Sequence, residues 1–137
     1  MPASPLPMKE LHALKMVEQK SRFMCHLYWI QSRDEMEDIL KQHRSNYRKA
    51  NHHCFALRIK NDNDGEVHSE FRNDGEVGHP GKVLLELLEN FDLCAHAIVV
   101  SRIFGGIKLG VGGVSRAFRD VGDETLKQWT SERGGSR

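Results

Sequence analysis

Arg102-Ile103-Phe104-Gly105-Gly106-Ile107-Lys108-Leu109-Gly110-Val111-Gly112-Gly113-Val114-Ser115-Arg116 is the stretch from which the chain is read. It follows an apolar run that starts at Ala97 and leads into the helical spacing of Val114, Ala117, Phe118, Val121 and Trp129, so it joins a strand to a helix. Five of the nine residues 105–113 are glycine. Glycine removes side-chain bulk and permits positive φ, so the main chain can turn sharply and approach another surface closely. The amides that follow gather at a helix N-terminus, where the dipole favours an anion. Arg102, Lys108, Arg116 and Arg119 add positive charge. Two readings stay open: a site for phosphate, carboxylate or an acidic protein surface, or a tight turn with close helix packing.

Neither common nucleotide motif is present. Gly105 and Gly110 have P-loop separation, but Val111 stands where the lysine belongs. Gly110 and Gly112 begin a dinucleotide pattern whose third glycine would fall at Ser115.

Outward from this stretch, Ala97 to Phe104 reads as a central strand buried on both faces. Pro80 suits the first turn of a helix carrying Val83, Leu84, Leu87, Leu88 and Phe91 on one stripe. His53–Lys60 and Val67–Arg72 alternate as strands around an Asp64-Gly65 turn. Residues 21–31 alternate as a further strand, and Ser32-Arg33-Asp34-Glu35 is a capping-box signature opening an amphipathic helix over 33–47. Residues 9–19, with Leu11, Leu14 and Val17, give only a weak helical or strand hint. Gly122 is a weak point within the last helix. The order β-α-β-β-α-β-α predicts an α/β (α+β) two-layer sandwich, with a four-stranded sheet, helices mainly on one face and a partly open opposite face.

At 137 residues, one domain is expected over 9–131, between a flexible proline-rich lead-in (1–8) and a frayed tail (132–137). With 39% hydrophobic and 28% charged residues the composition is that of an ordinary soluble protein. No secretory signal is read, and Cys25, Cys54 and Cys94, an odd number widely spaced, suit free thiols and a cytoplasmic location. The net charge of +1 hides an asymmetry: residues 61–100 hold nine acids against two cations, while the flanking segments are basic. Such a split suits a protein partner of mixed charge better than a nucleic acid.

Asp74-Gly75-Glu76, within Asn73–Lys82, is the second candidate cluster. Asp74 and Glu76 can be read as a Mg²⁺ or acid/base pair with His79 as proton carrier. They can also be read structurally, as acceptors for loop amides or as ion-pair partners of Lys108 or an arginine. His52-His53-Cys54 lacks the paired spacing of a zinc site, and His53 and Cys54 point to opposite faces of a strand. No cofactor and no metal is implied.

The segment Val99–Ala117 closely resembles the signature of the Impact family, Val-Val-Thr-Arg-Tyr-Phe-Gly-Gly-Ile-Lys-Leu-Gly-x-Gly-Gly-Leu-x-Arg-Ala. Asn73-Asp74-Gly75-Glu76 resembles its Asp-Asp-Gly-Glu element, Gly78 and Gly81 its Gly-Thr-Ala-Gly step, Lys20-Ser21-Arg22-Phe23 its Lys-Ser-x-Phe, and Cys54 its His-x-Cys strand. Asn73 stands in place of the first acid, Val77 in place of a proline and His79-Pro80 in place of Thr-Ala, which counts against a reaction shared through this loop. The resemblance implies a fold like domain two of ribosomal protein S-five, with a left-handed crossover. It also implies a non-catalytic binding module in translation control. In eukaryotic relatives such a module competes for the activator of a starvation-responsive initiation-factor kinase, so a translation-associated protein partner is expected. RNA or ribosome binding through Arg102, Lys108, Arg116 and Arg119 is the alternative, and a small phosphate-ester hydrolase or transferase a second. The binding candidates are Asp74, Gly75, Glu76, Arg102, Gly105, Gly106, Lys108, Gly110, Gly112, Gly113, Arg116 and Arg119. Family members carry a further domain at one end or the other, for which this chain is expected to have no room.

Overall fold

A computed structural model describes residues 9–133. The elements are β1 (Lys9–Glu18), β2 (Ser21–Trp29), α1 (Glu35–Asn46), β3 (His52–Lys60), β4 (Val67–Arg72), α2 (Pro80–Asn90), β5 (Ala95–Ile103) and α3 (Gly110–Glu132). The strands form one sheet in the order β1-β2-β5-β3-β4, and each hydrogen-bonded pair is antiparallel. The fold is α+β, as expected, but the sheet has five strands rather than four.

The additional strand is β1, and its ambiguity in the sequence has a physical cause. Leu11 is skipped where the β1–β2 register shifts between Glu10 and His12. This bulge brings Leu11 to the same core as Leu14 and Met16. In a regular strand Leu11 and Leu14 would face opposite ways, and their spacing of three mimics a helix. The hairpin turns through Gln19 and Lys20, both at positive φ (50° and 69°), without the Asn-Gly or Asp-Gly that announces such a turn.

The sheet separates two cores. On one face Phe23, Cys25, Leu27, Cys54, Ala56, Ile98 and Val100 pack against α2 and α3. On the other, Tyr28, Phe55, Leu57, Ala97 and Val99 pack against Met36, Ile39 and Leu40 of α1. The face expected to be partly open is therefore roofed by α1. That face is why β5 reads as continuously apolar: from Ala97 to Val100 both of its sides are buried.

Local signals explain the helix ends. Half of the capping box forms, with Glu35 Oε2 accepting the Gln31 and Ser32 amides at 2.8 and 3.1 Å. Arg33 clamps α1 to the edge strand through two parallel bonds of 2.9 Å to Glu70. The sequence's weak point, Gly122, is a packing site: a Cβ there would lie 2.7 Å from Leu87 Cδ1, so α2 and α3 cross closely because it is bare. Helix α3 extends through Glu132, and the Arg133 guanidinium carbon lies 4.5 Å from the Trp129 ring centre. The lead-in (1–8) and residues 134–137 of the expected tail lie outside the described residues.

Candidate functional site

The two sequence-marked loops meet at one end of the sheet. Ser21 and Asn51 hold the glycine loop in place. Ser21 Oγ accepts the Gly105 amide at 3.2 Å, and Asn51 Oδ1 accepts the Phe104 amide at 3.0 Å. Gly105 lies so close to the β1–β2 turn that a Cβ would sit 2.1 Å from the Lys20 carbonyl oxygen. Beyond it the loop emerges: Gly106 (φ +92°) and Gly110 (φ +76°) have open space where a Cβ would stand.

Arg102 is not on the rim where the sequence placed it. It is 5% exposed, beneath the loop. Its Nη1 donates to Glu76 Oε2 at 2.9 Å and its Nη2 to Ser21 Oγ at 3.2 Å. The guanidinium carbon lies 5.4 Å from the Phe23 ring centre and 5.8 Å from that of Phe104. Its charge is thus spent within the protein on Glu76, itself buried.

The acidic loop is committed in the same way. Asp74 (φ +52°) accepts the His53 amide at Oδ2 (2.8 Å), and its carbonyl accepts His52 Nδ1–H (2.9 Å). Gly75 follows at φ +77°, completing the turn. Glu76 Oε1 accepts the Val77 amide at 3.0 Å. Asn73 accepts the Gly81 amide at Oδ1 (2.8 Å), in the first turn of α2, and the Cys54 thiol at its carbonyl (3.1 Å). Burial, with the charges of Glu76 and Asp74 adding to it, raises the Cys54 thiol far above the ordinary range, so it stays protonated. Among the described residues no three His, Cys, Asp or Glu side chains converge as a metal-ligand set.

Where the loops meet, a groove of about 220 Å³ opens, lined by Val77, Phe104, Leu109, Val111 and Val114, with Arg102 and Lys108. Gly78 creates one wall: a Cβ there would lie 2.9 Å from the Val111 carbonyl oxygen, so the acidic loop is drawn against α3. Val77 is 50% exposed, Phe104 45%, Ile107 40% and Val111 60%. Phe104, Ile107 and Val111 were visible as apolar residues among glycines, but nothing in the sequence places Val77 beside Phe104 and Val111. Lys108 is exposed at the groove and also borders a second hollow of about 170 Å³ with Gly113, Arg116, Glu18 and Asp120. Gly113 lies there against Leu109, and Arg119 is exposed further along α3. Of the four candidate cations, those at the surface are therefore Lys108, Arg116 and Arg119, and Arg116 shares its hollow with two acids.

Away from this end, α1 covers a cluster that the sequence did not announce. His43 Nε2 is 2.8 Å from Tyr28 Oη, while His43 Nδ1 and His53 Nδ1 are each 2.7 Å from Ser101 Oγ. Burial above all, then the neighbouring His26 and His53, lowers the His43 pKa to about 3.

The model of the Impact N-terminal domain matches residues 19–126, and therefore takes in both loops and the groove between them. The chain belongs to the Impact family. It is 35% identical over 111 residues to the IMPACT family member YvyE of Bacillus subtilis, covering 80% of this chain and 50% of that protein. A crystal structure of a hypothetical protein superposes with a TM-score of 0.76 at 28% identity, over 90% of this chain and 59% of its own. The two-domain translational regulator Yih1 superposes with a TM-score of 0.60 at 25% identity, over 93% of this chain and 49% of its own. The Impact chain thus spans about half the length of these relatives. No described helix is long and apolar enough to cross a membrane.

Proposed function

We propose that this Impact chain is a non-catalytic binding module acting in translation control, which docks a protein partner in the groove between the acidic loop and α3. One observation carries the reading: three half-exposed apolar side chains, Val77, Phe104 and Val111, gather at one concave place beside Lys108. Apolar side chains on loops and in the first turn of a helix contribute little to a core while they face water, whereas a partner would bury them. The engagement of Asp74 with an amide, and of Glu76 with an amide and Arg102, supports docking over bond-breaking. Kinship to a translational regulator supports the setting. The finer version, competition for the activator of a starvation-responsive initiation-factor kinase, is the specific case to test.

Purified ribosomes and a panel of purified translation factors, including that activator, are passed over immobilised wild-type protein and over Val111→Asp and Lys108→Glu. Retention by wild type that Val111→Asp abolishes is the expected result. Equal retention by all three proteins, or none by any, refutes docking at the groove. RNA binding through Lys108, Arg116 and Arg119 is separated by salt: phosphate contacts weaken steeply as salt rises, and apolar docking does not.

A further inference from the structure

The groove's charge and shape point to one chemical class of occupant. We propose that it takes an extended acidic segment of the partner protein. A bulky apolar side chain sits among Val77, Phe104, Val111 and Val114, and an adjacent Asp or Glu carboxylate lies over the first turn of α3. This rests on the docking role proposed above and names the partner's chemistry.

The floor selects for an apolar group. Arg102 is neutralised by Glu76, so it adds no net charge beneath the apolar walls. Away from Lys108, a charged group buried there would have no counter-ion of its own.

The end of the groove selects for an anion. Helix α3 is 23 residues long, carries no side-chain cap and has no acid in its first turn. Its first amides have no intrahelical acceptor and lie at the positive end of the dipole. Lys108, two positions before the helix, adds an exposed positive charge at the same place.

Gly112 is the third observation. Its φ is not positive, and a Cβ added there would meet nothing within 4 Å. Alanine favours a helix more than glycine does, so the fold gains nothing from a glycine at this position. What the missing side chain does supply is an uncovered first turn, open to close approach by another backbone or carboxylate. Gly110 is a different case, since its positive φ calls for glycine by itself. A nucleic acid fits less well, because Glu18 and Asp120 interrupt the track from Lys108 to Arg116.

The test titrates the isotope-labelled chain with an acetylated, amidated octapeptide, Ser-Gly-Phe-Asp-Glu-Leu-Gly-Ser, following backbone amide resonances. The comparison ligands are the Asn-Gln version, a version ending in a free carboxylate after Phe, and a ten-residue uridine oligonucleotide. The acidic peptide is expected to move resonances of residue 77 and residues 104–114. The Asn-Gln version and the Lys108→Glu protein should each bind at least tenfold more weakly. Gly112→Ala should bind the peptide at least threefold more weakly while its Tm holds or rises. Absence of groove shifts at millimolar acidic peptide overturns the proposal. So does equal binding of the Asn-Gln version, binding only by the free carboxylate, preferential groove shifts with the oligonucleotide, or unchanged affinity in Gly112→Ala. If Val111→Asp abolishes factor retention while no peptide binds, docking stands and the acidic-segment chemistry falls. If Val111→Asp retains factors fully, docking itself falls.

Discussion

Acidification should loosen this fold through one buried side chain. His43 is neutral in the folded chain because charging it would leave a cation out of water beside His26, with a pKa of about 3 against the usual 6.5. In the unfolded chain the same ring takes a proton near its usual value, so below that pH the unfolded state binds more protons. Stability is therefore lost as pH falls through 6.5 and continues to fall towards the folded value. Between pH 8 and pH 5 the linkage relation gives a loss of about 2 kcal/mol from His43 alone. The groups around it come from every packed element: His26 and Tyr28 on β2, His53 on β3, Ser101 on β5, and Tyr47 just past α1, with Glu10 on β1 behind His26 and Arg44 acting on His53. The assay is urea unfolding of wild type and His43→Gln at both pH values. Gln keeps a hydrogen-bonding group in reach of Tyr28 but cannot titrate. The variant should be weaker at pH 8, by about 1–3 kcal/mol, from lost bonds to a buried hydroxyl. Its further loss on moving to pH 5 should be smaller than that of wild type by about 2 kcal/mol, about 1 M in urea midpoint. Equal losses in the two proteins would refute the assignment, because every other titrating group is shared.

Three further outcomes are expected. Glu76→Gln should destabilise by about 3 kcal/mol in urea unfolding, since it strands the buried Arg102 charge, and a change under 1 kcal/mol would mean that the pair is not closed in solution. Gly105→Ala should fail to yield a folded protein, or show a Tm lowered by well over 10 °C, because its Cβ would enter the Lys20 carbonyl, and a wild-type melting curve would disprove that close approach. With an aromatic disulfide reagent, Cys94 should be the one native thiol to react: Cys25 is buried, with its pKa pushed up to about 12 by burial, and Cys54 is held protonated. Release of two or three equivalents before denaturant is added would contradict this.

Much of the architecture was legible because the relevant signals are local. The alternation in 21–31 and 53–60, the Asp64-Gly65 turn and Pro80 at a helix start each act within a few residues, and each stands where the sequence placed it. β1 was obscured because its bulge breaks the period of two on which the reading depends. In the candidate site, the glycine segment announced a loop, but the burial of Arg102 depends on Glu76, 26 residues earlier. No local pattern tells a cation that faces solvent from one that faces a distant carboxylate. The groove was hidden for the same reason: Val77 and Val111 become neighbours only through the close approach of Gly78 to α3. The histidines beneath α1 are scattered in sequence and converge only when three strands align under one helix.

The bond between Arg102 and Glu76 joins the end of the central strand to the loop that carries Val77. Both walls of the groove consequently receive their shape when the chain folds. The entropy of arranging them has already been lost before any ligand arrives, so association should proceed by simple collision, without a slow conformational step and at the ordinary rate of about 10⁵–10⁷ M⁻¹s⁻¹ for a ready-made surface.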